Sequence, residues 1–242
     1  MTEHPIIFNG DMVRAILRGE KTQTRRPVKP QPATGCMYSI NGAHNAALHL
    51  TDAGCQVRYI PPTGRSKDHL LLCPFGQPGD RLWVRETWRL ADPDGDDAVS
   101  EDVYGPYAPF VGGNGSRKIR WRVIYRATSP ESHPKYGKAL WTPSIHMPRW
   151  ASRITLEITD INAERVQDIT EDDARAEGVK PEFRTVVARS DGGPDYHIPC
   201  SYRGGFANTW NALYAKRPGL SWDENPWVWA ITFRRVETSH EN

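Results

Sequence analysis

The sequence predicts a mixed α+β fold, with a small closed sheet of five or six strands, three short helices against it and long loops between. Three observations carry that expectation. Apolar and polar residues alternate with period two at 81–88, 118–127 and 227–236, the pattern of a strand with two unlike faces. Apolar stripes at helical spacing are present but short, as in Val13, Ile16 and Leu17. Stretches rich in Gly, Pro or acidic residues fill 33–72, 90–117 and 180–204, and they read as loop insertions. Few strands with short helices pack most simply as one α+β domain around a small barrel. No repeat or linker interrupts residues 1–242, so a single domain is expected.

Taken in order, Pro5 to Phe8 forms a first strand. Asn9 or Asp11 caps the helix that follows, and Gly19 takes the left-handed conformation that stops it. After a basic turn, Pro27-Val28-Lys29-Pro30-Gln31-Pro32 has to run extended. Residues 33 to 72 lack clean periodicity, with room for a small hairpin, and Pro74 to Asp80 is turn chemistry. Arg81 to Trp88 reads as one strand, with Leu82, Val84 and Glu86 on one face and Trp83, Arg85 and Thr87 on the other. The acidic, then Gly-rich segment at 90–117 reads as a solvated loop.

Lys118 to Ala127 reads as a half-exposed strand, with Ile119, Trp121, Val123 and Tyr125 opposite Arg120, Arg122 and Arg126. A connector ends in Ser144 to Trp150, and Ile154, Leu156, Ile158 and Ile161 mark the next strand. Thr170-Glu171-Asp172-Asp173-Ala174 opens a capped helix that stops at Gly178. Phe206, Trp210, Leu213 and Tyr214 mark a short helix. Trp227 to Val236 closes the chain as a strand, with Trp227, Trp229, Ile231 and Phe233 on one face.

Composition narrows the function classes. Net charge is only +2, which argues against an obligate nucleic-acid coat or a polybasic membrane anchor, while Arg25, Arg26 and Lys29 still make a local basic patch. No apolar run approaches the ~20 residues that span a bilayer, so no membrane partner is expected. The N-terminus lacks the layout of a secretory signal and the four cysteines are sparse, so a reduced cytoplasmic setting is expected. A zinc site from Cys36, Cys55, Cys73 and His44 or His49 has no paired Cys-x-x-Cys to support it. No metal or cofactor is expected. Nine tryptophans and nine tyrosines serve equally as barrel core or as surfaces that stack on bases.

The chemistry concentrates in Gly19-Glu20-Lys21-Thr22-Gln23-Thr24-Arg25-Arg26. A turn here brings the Lys21 amine and the Thr24 hydroxyl to one side, and an amine beside a hydroxyl is a base beside a nucleophile. The same eight residues also fit a solvated basic loop. Glu86, in line with Leu82 and Val84, is a partly buried carboxylate that needs a partner. An arginine ion pair satisfies it, and so does a role in a cleft.

The opening helix followed by Gly19-x-Lys21-x-x-x-x-Arg26 resembles the signature of the ASCH domain superfamily, itself similar to the RNA-binding PUA fold. Further blocks resemble the larger ASCH proteins of bacteriophages and prophages: Lys21 to Arg26, Gly79 to Trp88, Ser144 to Arg153, Asp168 to Gly178 and Asn225 to Trp229. The resemblance implies a PUA-like barrel with flanking helices and a cleft for a nucleoside or RNA. Some small ASCH proteins are amidohydrolases that remove acyl groups from the exocyclic amine of cytidine. Their lysine, threonine and glutamate constellation maps onto Lys21, Thr24 and Glu86.

On that reading Thr24 attacks the acyl carbon, Lys21 accepts the hydroxyl proton, and Glu86 orients the lysine, shuttles a proton or activates water. Trp88, His146 and Trp150 are the expected wall for the base, with Arg25, Arg26 and Arg149 toward ribose or phosphate. Two rivals stay open. One is an RNA-binding or RNA-cleaving module using the basic groups near Arg25 and Arg120; the other is a phage-associated interaction protein without activity. The acyl group, the choice between free nucleoside and polymer, and the oligomeric state are not encoded legibly.

Overall fold

The computed structural model describes residues 1–32, 48–51, 54–59, 69–91, 105–108, 122–129, 141–186 and 196–236. In chain order the elements are β1 (Glu3–Ile7), α1 (Gly10–Leu17), β2 (Gln23–Pro27), β3 (Leu48–Thr51), β4 (Gly54–Tyr59), β5 (His69–Leu72), β6 (Arg81–Arg85), β7 (Trp88–Ala91), β8 (Arg122–Tyr125), β9 (Thr155–Arg165), α2 (Glu171–Ala176), β10 (Glu182–Val186), β11 (Tyr196–Ser201), α3 (Tyr202–Tyr214) and β12 (Trp227–Val236). Single 3-10 turns lie at Ser144–His146, Arg149–Ala151 and Val166–Asp168. The class is mixed α+β, as expected.

The chain forms two compact units made of interleaved segments. Unit one comprises Met1–Arg18, Asp80–Glu157 and Arg235–Asn242; unit two comprises Gly19–Gly79 and Ile158–Arg234. The principal strand order is β1-β6-β9-β12-β2. β1 and β2 each have one neighbour in it, so the order is open rather than that of the closed barrel expected.

In unit one β1 runs parallel to β6, and β6 pairs antiparallel with Thr155–Glu157 of β9. Asn9 caps α1 by accepting from the Met12 amide at 2.9 Å, settling the choice between Asn9 and Asp11. Residues 81–88 keep strict alternation of burial, with Leu82, Val84 and Glu86 all buried. The ladder nevertheless breaks after Arg85, and Trp88 starts β7, which pairs antiparallel with β8. Ile124 is buried beside Val123 and Tyr125, so β8 is covered on both faces and is not half-exposed. Ile119, Arg120 and Trp121 lie outside the described residues, as do most of 90–117. A local core joins Trp88, Val123, Tyr125, Met147 and Ala151.

In unit two β12 pairs antiparallel with β2. Val228, Trp229, Ala230 and Ile231 are all buried, so β12 is interior and the single apolar face expected of it gives way to two. The 180–204 stretch, expected as a loop, contains the antiparallel pair β10 and β11 and the start of α3. Within 33–72, β3, β4 and β5 form a three-stranded antiparallel sheet, where only a hairpin was anticipated; residues 33–47 lie outside the description. Val166, Ile169, Ala174, Phe206, Trp210, Tyr214, Leu220 and Val228 form the core on which α2 and α3 pack.

Candidate active site

The basic segment is neither a turn nor a solvated loop. Gly19 has φ 75°, which ends the helical run. The chain is then pinned on both sides. The Thr22 amide donates to the Ala176 carbonyl at 2.8 Å, and the Phe233 amide donates to the Thr22 carbonyl at 2.9 Å. Lys21 makes an isolated antiparallel bridge with Glu177, and Thr24 sits in β2 opposite Ile231. Lys21, Thr24 and Arg25 are all buried.

Within unit two the Lys21 ammonium has three acceptors, matching its three N–H donors. Nζ donates to the Gln23 carbonyl at 2.7 Å, the Glu177 carbonyl at 2.8 Å and Glu177 Oε2 at 2.7 Å. The first of these folds the side chain back along its own strand. Because a carbonyl oxygen lies close to the next Cα in a trans peptide, Nζ is no more than about 5.5 Å from the Thr24 Cα. An amine and a carboxylate therefore meet in one buried pair, with Nζ also bonded to the carbonyl of the residue that precedes Thr24.

Within unit two the carboxylate that meets Lys21 is Glu177; Glu86, the carboxylate expected from the sequence, belongs to unit one. Thr170 caps α2 by accepting from the Asp173 amide at 3.1 Å. Glu177 is the C-cap and Gly178 follows at φ 70°. Asp173 and Glu177, four residues apart, stack on one face of that turn. Arg25 lies against the same face. Its Nε donates to Glu164 Oε1 at 2.7 Å, its NH1 to Gln23 Oε1 at 2.5 Å and to Glu177 Oε1 at 3.5 Å, and its NH2 lies 3.4 Å from Asp173 Oδ2. Its guanidinium carbon also lies 5.9 Å from the centre of the Phe206 ring. Arg25 is thus an interior residue held by carboxylates, not a surface group free for phosphate. Arg26, half-buried on β2 opposite Trp229, contributes its charge near Lys21.

Burial drives the Lys21 ammonium below the ordinary lysine range, against the upward pull of Glu177; Arg26 and Arg25 push the same way as burial. Burial raises the Glu164 carboxyl, with Arg25 opposing it.

Glu86 belongs to unit one, where it meets the need for a partner that its sequence position implied. Arg153 donates to Oε1 at 2.9 Å and to Oε2 at 3.0 Å, a two-point pair. The guanidinium also lies 3.9 Å from the centre of the Tyr125 ring. The Tyr125 hydroxyl donates to the Ala151 carbonyl at 2.8 Å. Burial raises the Glu86 carboxyl, and Arg153 opposes it. Among the expected base-binding residues, Trp88 and Trp150 meet edge to face at 6.0 Å between centroids. Trp88 is core and Trp150 half-buried, while His146 is exposed on its 3-10 turn. Arg149 forms a two-point pair with Glu3 at 2.7 and 2.9 Å.

Sequence reasoning missed Glu177, Glu164, Asp173 and Arg153. The legible signal for Glu177 was its place at the end of a capped helix, directly before the stop glycine. Cys73 is buried. Cys36 and His44 lie outside the described residues, as do the side chains of His49 and Cys55. Among the described residues no group of three His, Cys, Asp or Glu side chains is placed to hold a metal ion, and no helix is long and apolar enough to cross a membrane. No family model matches this chain, and neither a curated protein nor a solved structure does.

Proposed function

We propose that this chain is an amidohydrolase with a PUA-like architecture that removes acyl groups from the N4 amine of cytosine nucleosides. Thr24 is the nucleophile, Lys21 the base and Glu177 the carboxylate that holds the lysine. The observation that carries the reading is the buried Lys21–Glu177 pair at 2.7 Å, with Nζ bonded to the carbonyl of the residue before Thr24. The substrate class comes from the resemblance of the Gly19–Arg26 block and its companions to ASCH proteins.

In the reactive form Lys21 is neutral, so Nζ carries a lone pair that can accept a proton. The Thr24 hydroxyl passes its proton to that amine as Oγ bonds to the acyl carbon. The C–N bond then breaks, the proton returns to the departing cytosine amine, and water cleaves the acyl-threonine. Glu177 keeps Nζ in place throughout. Glu86 has no step here, because both of its oxygens are engaged by Arg153.

Incubation with N4-acetylcytidine should release cytidine. Thr24→Ala, Lys21→Ala and Glu177→Gln should each lower turnover by at least ~100-fold, the scale of a lost acid–base group or nucleophile. Absence of cytidine release by folded wild-type protein from acetyl, propionyl and benzoyl substrates would remove the proposal.

A second reading, RNA binding, draws support from arginines over aromatic rings in unit two. Arg165 lies 4.6 Å from the Trp227 ring centre, Arg175 4.8 Å from Tyr202 and Arg203 5.3 Å from Trp222. Such pairs combine cationic and stacking surface. That reading requires RNA retention that falls steeply from low to moderate salt.

A further inference from the structure

We propose that Arg25 is a positioning residue, whose guanidinium fixes the Glu177 carboxylate on which Lys21 rests and engages the two other acidic groups nearest that site. The inference rests on the amidohydrolase reading for its consequence in turnover, and on geometry for the rest.

One carboxylate serves two cations. Glu177 offers Oε2 to Lys21 at 2.7 Å and Oε1 to Arg25 at 3.5 Å. A carboxylate held at both oxygens cannot swing away from the amine, and its negative charge is shared rather than spent on Lys21 alone. The same guanidinium takes Glu164 of β9 and Asp173 of α2. Only a planar fork with several donors reaches three carboxylates and a Gln23 amide oxygen at once. The Arg25 side chain is 1% exposed, so it does this work inside the protein, beyond the reach of a substrate phosphate.

The charged groups around Lys21 can be named element by element. Arg25 and Arg26 come from β2, Glu164 from β9, and Asp173 and Glu177 from α2 with its cap. Asp168, in the turn after β9, acts on Glu164. From α3 comes the apolar ring of Phe206, and from β12 the Thr232 hydroxyl, 3.2 Å from the Gln23 side-chain nitrogen. With Arg25 in place, the charge of Glu177 is shared between two cations; without it, Glu177 bears on the Lys21 ammonium alone. Lys21 then keeps its proton to higher pH and is a poorer base at neutrality.

The test follows the Lys21 side chain directly, by titration of its Cε and Nζ nuclear magnetic resonance signals, assigned by their loss in Lys21→Met. In Arg25→Met, whose stem keeps the packing against Phe206, the midpoint should move up, because a neighbouring positive charge is lost. Arg25→Lys retains the charge without the fork and should fall between Arg25→Met and wild type. The alkaline rise of kcat/KM should move by the same amount. A Lys21 midpoint unchanged in folded Arg25→Met and Arg25→Lys would overturn the proposal, leaving Arg25 a purely structural ion pair. A shifted midpoint in a protein without amidohydrolase turnover would retain the tuning role and remove the hydrolase reading.

Discussion

Lys21 makes the cost of a buried charge explicit. Its side chain is wholly inside, and Glu177 is nearly so. Replacing Lys21 leaves Glu177 with its longer contact to Arg25, at 3.5 Å, and losing the close partner of a buried pair typically costs about 3–5 kcal/mol. Lys21→Met should therefore lower unfolding free energy by about that much in urea titration, whereas Lys21→Met with Glu177→Leu should recover much of the loss. An additive double variant would show that the two do not act as a pair. The direction of the Lys21 shift also fixes a pH dependence. The folded state favours the neutral amine while the unfolded chain stays protonated up to the ordinary ~10.4. Wild-type stability should thus rise with pH across that window relative to Lys21→Met, because the unfolded state binds the extra proton. Turnover should rise through the same depressed midpoint; a rate flat from pH 6 to 10 would deny Lys21 the role of base.

The Glu86–Arg153 pair gives the opposite sign. Burial pushes the Glu86 carboxyl up, and Arg153 restrains it. In Arg153→Met the carboxylate loses the guanidinium that restrains it, so the variant should be least destabilised well below pH 4, where Glu86 is protonated in both states. The penalty should grow as pH rises above the ordinary ~4.3. Denaturant midpoints of variant and wild type from pH 4 to 7 check this, and a constant difference would contradict it.

At the scale of elements, α2 carries the site although it spans only Glu171–Ala176. So short a helix is marginal alone and depends on its cap and on packing against α3. Thr170→Ala removes the hydrogen bond to the Asp173 amide and should cost about 1 kcal/mol. Turnover should fall further than that loss of folded protein explains, because Asp173 and Glu177 hang on the same turn. Equal effects on both would place the helix outside the machinery. Element identity was largely legible: the caps at Asn9 and Thr170, the stops at Gly19 and Gly178 and the strands at 81, 155 and 227 all follow from local chemistry. The misreadings of β2, β8 and β12 share one cause. β2, β8 and β12 are buried on both faces, and alternation cannot report a second covered face whose residues are Arg25, Ile124 or Ala230.

At the scale of the molecule, no linker is visible in the sequence because the two units interleave: each is assembled from segments far apart in the chain. Single-sequence periodicity reports local partners only. Lys21 and Glu177 are separated by 156 positions, so nothing local joins them, while Glu86 stood out through its place on a clean apolar face. The buried carboxylate that could be read and the one that meets the lysine were different residues. Interior position of Lys21, Thr24 and Arg25 was likewise hidden, since six polar residues in a row look like surface until their partners are known.

Interleaving also dictates an order of events during synthesis. A ribosome releases Lys21 and Arg25 long before Glu164, Asp173 and Glu177 exist, and β2 waits for β12 at the far end of the chain. Two cations destined for the interior must therefore remain in water until the segments from β9 to β12 have emerged.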